Sequence, residues 1–237
     1  MALGKIPASH TELDALADET TSATAAAVAA GSWATAAYLD GKFHFRKDYQ
    51  TMARMKQGEK EYARAIKEDK VNLWYVIEKT CKQHENRRAI WWRERSYTFR
   101  ELHDESLRIA QWMLDQGVRP GELVALYLTN SPHFMFSWFA CLAIGAAPAF
   151  INYNLEGKAL LHCLDVAQTR LLVVDDDAGC QARIEGSRAD IESRGMKIAV
   201  LDDALKESIS SRPVVRPGDE LRAGTKGEFP YCLIYTR

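Results

Sequence analysis

Hydrophobic positions along the chain fall into two spacings, and the spacings assign the elements. Leu123 to Leu128 is an uninterrupted apolar run of strand length, as expected for a strand covered on both faces. Ala149 to Ile151, Leu171 to Val174, Ile198 to Leu201 and Tyr231 to Tyr235 repeat that pattern. Between them, apolar residues recur every three or four positions, predicting helices over 132–144, 157–166 and 181–194. Strands alternating with helices predict an α/β fold: a doubly wound, mainly parallel sheet with right-handed crossovers and helices on both faces.

The segment before the first of these strands is helical. Thr98 is followed three residues later by Glu101, the spacing of a capping box, and Phe99, Leu102, Ile109, Ala110 and Met113 continue at helical intervals to Gly117. Upstream, Ala89 to Trp92 and Tyr97 to Phe99 read as a hairpin around the turn 93–96, and Asn72 to Ile77 opens a short helix with an apolar face. Asn130 or Ser131 can cap the next helix, with Pro132 at its first position, where a helix tolerates proline. That helix is nearly all apolar yet too short to span a bilayer, so it belongs in a core. The Pro- and Gly-containing stretch 208–228 is expected to be a surface excursion.

The amino-terminal third has a different texture. Residues 1–19 form a polar leader; 20–47 are Ala-rich with a basic flank; 48–70 read as an exposed connecting helix; and 71–237 form the α/β region. Between Thr20 and Leu39 there is no charge, and the length is that of a membrane span. Alanine and threonine dominate it, however, so a spanning helix and an Ala-rich soluble leader are both open readings. A span followed by Lys42, Arg46 and Lys47 would leave the remainder facing the cytoplasm, membrane-associated on an unresolved membrane.

Net charge is −1, from 31 basic and 32 acidic residues, which gives no support to a nucleic-acid partner. The five cysteines are scattered and form no C-x-x-C pair, as expected of reduced, mostly buried thiols. His162 and Cys163 are read as packing residues, since adjacent helical side chains diverge. Asp175 to Asp177 and Asp202–Asp203 follow strands and are read as strand-end and helix-cap carboxylates in preference to cation ligands. No G-x-G-x-x-G follows a strand, and no G-x-S-x-G occurs, which removes the main signatures of dinucleotide-binding oxidoreductases and α/β-hydrolases.

The stretch YTFRELHDESLRIAQWMLDQGVRPGELVALYLTNSPHFMFSWFACLAIGAAPAFINYNLEGKALLHCLDVAQTRLLVVD resembles the opening subdomain of the adenylate-forming, AMP-dependent synthetase superfamily. NLWYVIE, FINYNLEGKALLHCL and AAYLDGKFHF are similar to the branch of fatty acid transport proteins and very-long-chain acyl-CoA synthetases. The resemblance implies activation of a fatty acid by ATP and Mg, followed by transfer to CoA. It marks Leu233-Ile234-Tyr235-Thr236 as the lead-in to an ATP-phosphate loop, with Tyr235 and Thr236 as the candidate nucleotide-site residues. It further implies that this chain is the amino-terminal part only, inactive alone and binding none of these cofactors by itself. The alternative is a non-catalytic membrane-associated remnant that docks on a full-length relative.

Overall fold

In the computed structural model, residues 10–235 are described, with side chains from residue 21 onward. They fall into two units, residues 1–62 and 63–237. In the first, helix α1 (His10–Phe43) ends where His44 takes a left-handed conformation, and α2 (Phe45–Lys67) follows. Asp40 accepts a hydrogen bond from the Arg46 backbone N–H at 2.6 Å across that break. Among the described residues no helix is long and apolar enough to cross a membrane, so a bilayer span over 20–39 gains no support. The physical reason is composition: alanine and threonine contribute little transfer energy per residue.

The second unit opens with α3 (Trp74–Gln83), then the antiparallel pair β1 (Arg88–Trp92) and β2 (Arg95–Thr98). The hairpin turn is tighter than the sequence suggested. Trp92 pairs with Arg95, so only Arg93 and Glu94 connect the strands, and Arg93 takes a positive φ of 52°. Phe99 starts α4 (Phe99–Asp115) and is not a strand residue. The capping box is present: Thr98 Oγ1 accepts from the Glu101 N–H, and the Glu101 carboxylate accepts from the Thr98 N–H at 2.7 Å. Gly117, at φ +86°, closes the helix as its lack of a Cβ permits.

The sheet comprises β3 (Leu123–Tyr127), β4 (Ala147–Phe150), β5 (Leu171–Asp175), β6 (Lys197–Leu201) and β7 (Leu233–Ile234). Their order is β6-β5-β3-β4-β7, and every pairing is parallel. Helices α5 (Pro132–Ala143), α6 (Gly157–Ala167), α7 (Ala178–Glu185), α8 (Arg188–Ser193) and α9 (Asp203–Ser210) connect the strands. Period-two alternation divides each strand between two cores. Val124 and Leu126 join α3, α4, α5 and α9 on one face; Ala125 and Tyr127 join α6, α7 and α8 on the other. A fully buried leucine such as Leu126 contributes about 2 kcal/mol, and both faces are lined in this way.

Three local expectations need correction. The helix read over 181–194 is two helices, because the chain bends at Gly186 and Ser187. Helix α9 lies partly inside the stretch read as an excursion, capped by the Asp202 carboxylate, which accepts from the Leu205 N–H at 2.8 Å. Nor is that stretch wholly at the surface. Arg222, after a 3-10 turn at Asp219–Leu221, is 1% exposed. It donates to the carbonyls of Ala143 and Pro217 and to the Asp219 carboxylate, and it lies over the Tyr75 ring. Close passage is also enforced at Gly145, where φ is +73° and a Cβ would run into the Leu221 carbonyl oxygen.

Candidate functional site

The crossover pattern places a crevice at one location. From β3 the chain leaves into α5 on the first face, and from neighbouring β4 it leaves into α6 on the second. Adjacent strands whose helices part to opposite faces leave a gap outside their carboxyl ends. A cleft of about 510 Å³ lies there, lined by the segment that follows β3, the end of β4 and the loop after it, β7, the first turn of α5 and the first two turns of α6.

Its walls are mostly apolar. Phe134 and Phe150 approach with ring centroids 4.8 Å apart, and Trp138 meets Phe150 edge-on at 5.1 Å. The Trp138 indole N–H donates to the Tyr231 carbonyl at 3.1 Å, tying the approach to β7 to α5. Polar side chains are few: Asn130, Asn152, Tyr153, His162 and Tyr235. Asn152 is committed locally, its side-chain oxygen accepting from the Asn154 N–H at 3.0 Å.

Tyr235 sits at the cleft, immediately after β7. Its hydroxyl donates to the Cys163 carbonyl at 2.7 Å, and burial, followed by the neighbouring Cys163, pushes its pKa up to about 12. It is therefore a neutral donor at physiological pH, fixing β7 to α6. Thr236, the other candidate, lies outside the described residues, as does Arg237. His162 and Cys163 both line the cleft; Cys163 is buried, and burial raises its thiol pKa, so it carries no thiolate at neutral pH.

The aspartates that follow the strands are occupied structurally. Asp175 accepts from the Thr129 N–H and hydroxyl at 2.9 and 2.7 Å, which crosslinks the ends of β3 and β5. Burial alone would raise its pKa, but these bonds and the Asp177 N–H hold it below the ordinary value. Asp177 caps α7 by accepting from the Cys180 N–H at 3.0 Å. Among the described residues no group of three or more His, Cys, Asp or Glu could hold a metal ion.

Sequence patterning did not single out the aromatic wall. Phe134 and Phe150 carry helix and strand spacings identical to those of core residues; only the topology shows that they border a crevice, with Trp138 packed behind them. In the sequence Tyr127 is one position of an apolar strand run. In the fold it spans the second core, donating to the Leu155 carbonyl at 2.8 Å and accepting from Arg183 at 3.0 Å.

Comparison with known proteins matches residues 77–236 to the AMP-binding enzyme family. The chain is 39% identical over 162 residues to isopenicillin N epimerase component 1 of Hapsidospora chrysogena, covering 68% of this chain and 27% of that protein. It is 29% identical over 214 residues to a very long-chain fatty acid transport protein of Cochliobolus heterostrophus, covering 88% and 32% respectively. Among solved structures, a Mycobacterium tuberculosis fatty acyl CoA synthetase superimposes with a TM-score of 0.61 at 18% identity, covering 71% of this chain and 33% of that one. The chain thus spans about a third or less of the length of these relatives. The doubly wound parallel sheet is the fold of the N-terminal domains of adenylate-forming enzymes, and the chain belongs to the AMP-binding enzyme family.

Proposed function

We propose that this chain supplies the opening α/β subdomain of an ATP-dependent long- or very-long-chain fatty acyl-CoA ligase. In that reaction a carboxylate oxygen attacks the α-phosphorus of Mg-bound ATP and pyrophosphate leaves. The CoA thiolate then attacks the acyl carbonyl and expels AMP. The observation that carries the reading is the cleft outside β3, β4 and β7, reached by a family match that runs through residue 236.

The donor set decides which reactant these residues fit. Phe134, Phe150, Ile151 and Ile234 suit an acyl chain, and the cleft has no lysine or arginine in its lining. A triphosphate needs several cationic or N–H donors held in place, so the described residues do not fit ATP or its Mg. Tyr235, the first of the two nucleotide-site candidates, sets the course of the backbone out of β7, and the family match that runs through Thr236 supports the second. On this reading the 237 residues alone form no acyl-CoA.

Incubating the purified chain with labelled oleate, Mg-ATP and CoA should give no thioester, while oleate itself should quench the indole beside Phe150 on binding. Thioester formation would overturn the inactivity. Failure of oleate to bind, or binding unaltered in Phe150→Asp, would overturn the acyl assignment. Reading the transcript past codon 237 tests the ligase reading directly: an in-frame Ser/Gly/Thr-rich continuation supports it, and a stop favours the remnant that docks on a full-length relative. The exposed Ile234 on an edge strand favours that second reading to the extent that it offers apolar surface to a partner. Peripheral membrane association through residues 20–39, without a bilayer span, completes the proposal; unchanged membrane partitioning after deletion of 1–47 would remove it.

A further inference from the structure

The β1–β2 hairpin carries a surface that the cleft chemistry does not use. Arg88 lies over the Trp91 ring with its guanidinium carbon 5.5 Å from the centroid, Arg93 over Trp92 at 5.3 Å, and Arg95 over Tyr97 at 4.4 Å. Significant pairs of this kind occur about once per 70–80 residues, so three within one short hairpin is a concentration that packing alone does not require. Trp91 is 74% exposed, and its indole N–H is already satisfied by the Arg93 carbonyl at 2.9 Å. Its face is thus free of polar demand.

Charge is uneven along the same element. Arg100 pairs with Glu85 at 2.7 Å and Arg95 with Glu101 at 3.5 Å. Among the described residues Arg87, Arg88 and Arg93 have no carboxylate partner, and each is exposed. A guanidinium whose flat face rests on an indole keeps its N–H edge free to donate in a forked pair to phosphate oxygens.

We propose that this hairpin is a docking surface for an anionic lipid bilayer, with the Trp91 ring at headgroup level and Arg88 and Arg93 donating to lipid phosphates. An exposed indole flanked by cations has its free-energy minimum at the boundary between hydrocarbon and headgroups. A nucleic acid is the less suitable polyanion, because Glu85, Glu94 and Glu101 interrupt any continuous cationic track along the hairpin. The surface does not rest on the ligase reading: loss of one leaves the other intact.

The test uses the intact chain with vesicles of phosphatidylcholine, with and without about a third phosphatidylserine. Binding is expected to the anionic vesicles alone and should be released near 1 M salt, where the Debye length is about 3 Å. Arg88→Gln with Arg93→Gln should lower partitioning roughly 25-fold, about fivefold per arginine. Trp33 is also exposed, so the indole is located by difference: quenching by brominated lipid should fall when Trp91→Phe is compared with the parent. All these side chains are exposed, and unchanged far-ultraviolet circular dichroism confirms that the variants fold. Equal partitioning of the double variant, undiminished quenching in Trp91→Phe, or binding to a single-stranded oligonucleotide but not to vesicles would each overturn the proposal.

Discussion

Helices α2 and α4 both carry an apolar stripe, yet α2 buries no residue and α4 buries seven. In α2 the stripe is Phe45, Tyr49, Met52, Met55, Tyr62 and Ile66, all exposed, and Asp48 and Glu59 fall on the same side at helical spacing. In α4, Leu102, Leu107, Ile109, Ala110 and Met113 form a face free of carboxylates, and α3 and α5 lie against it. Periodicity therefore makes a helix amphipathic but does not make it packed. Packing needs a stripe that excludes charge and a second apolar surface to meet it.

That contrast can be broken from the packed side. Leu107 is 1% exposed, and Leu107→Ala should lower unfolding free energy by about 2–5 kcal/mol in urea titrations. A loss below about 1 kcal/mol would mean that the face of α4 is not core. Next in size is the polar clamp on α3. Glu78, in that helix, accepts from Arg216 at 2.6 Å and from Lys82 at 3.0 Å, and Glu78→Gln should cost about 2 kcal/mol at neutral pH. Burial alone would raise the Glu78 pKa, but Arg216 and Lys82 override it and hold the value below 4.5. A depressed folded-state pKa contributes stability above the unfolded value and loses it as pH falls through the folded one. The gap between parent and Glu78→Gln should accordingly be full at pH 7 and shrink below pH 4.5; a gap that widens in acid would reverse the assigned sign.

Smaller effects sharpen the comparison. Thr98→Ala removes the cap of α4 and should cost about 1 kcal/mol, with Thr98→Ser restoring most of it. Met52→Ala in α2 should change stability by less than about 0.5 kcal/mol in the same titration. A cost near that of Leu107→Ala would show that the α2 stripe is covered in solution.

What the sequence revealed, and what it hid, follows the same logic. Helix α4 was legible because its start signal is local: Thr98 and Glu101 satisfy each other's backbone within four residues. Strands β3, β4 and β5 were legible because both their faces are buried, so composition alone marks them. The break at Gly186–Ser187 was not, since apolar spacing continues through Ile184 and Ile191 while the backbone turns between them. Arg222 misled because arginine in a polar, Pro/Gly-rich stretch normally faces water; its partners at Ala143 and Tyr75 are remote in the chain. The cleft was placed at strand ends in general, but its position depends on strand order, and nothing local in β4 or β7 specifies that they are neighbours.

The pairing of β7 with β4 has a kinetic side. Ala149 meets Leu233 and Phe150 meets Ile234 across more than eighty intervening residues, for a ladder only two residues long. Closing a loop of that size costs conformational entropy before so short a ladder can offset it. This strand should join the sheet late in folding and detach first in the native state. Its amides would then exchange with deuterium well before those of β3, and the cleft it borders would widen and narrow with each local opening.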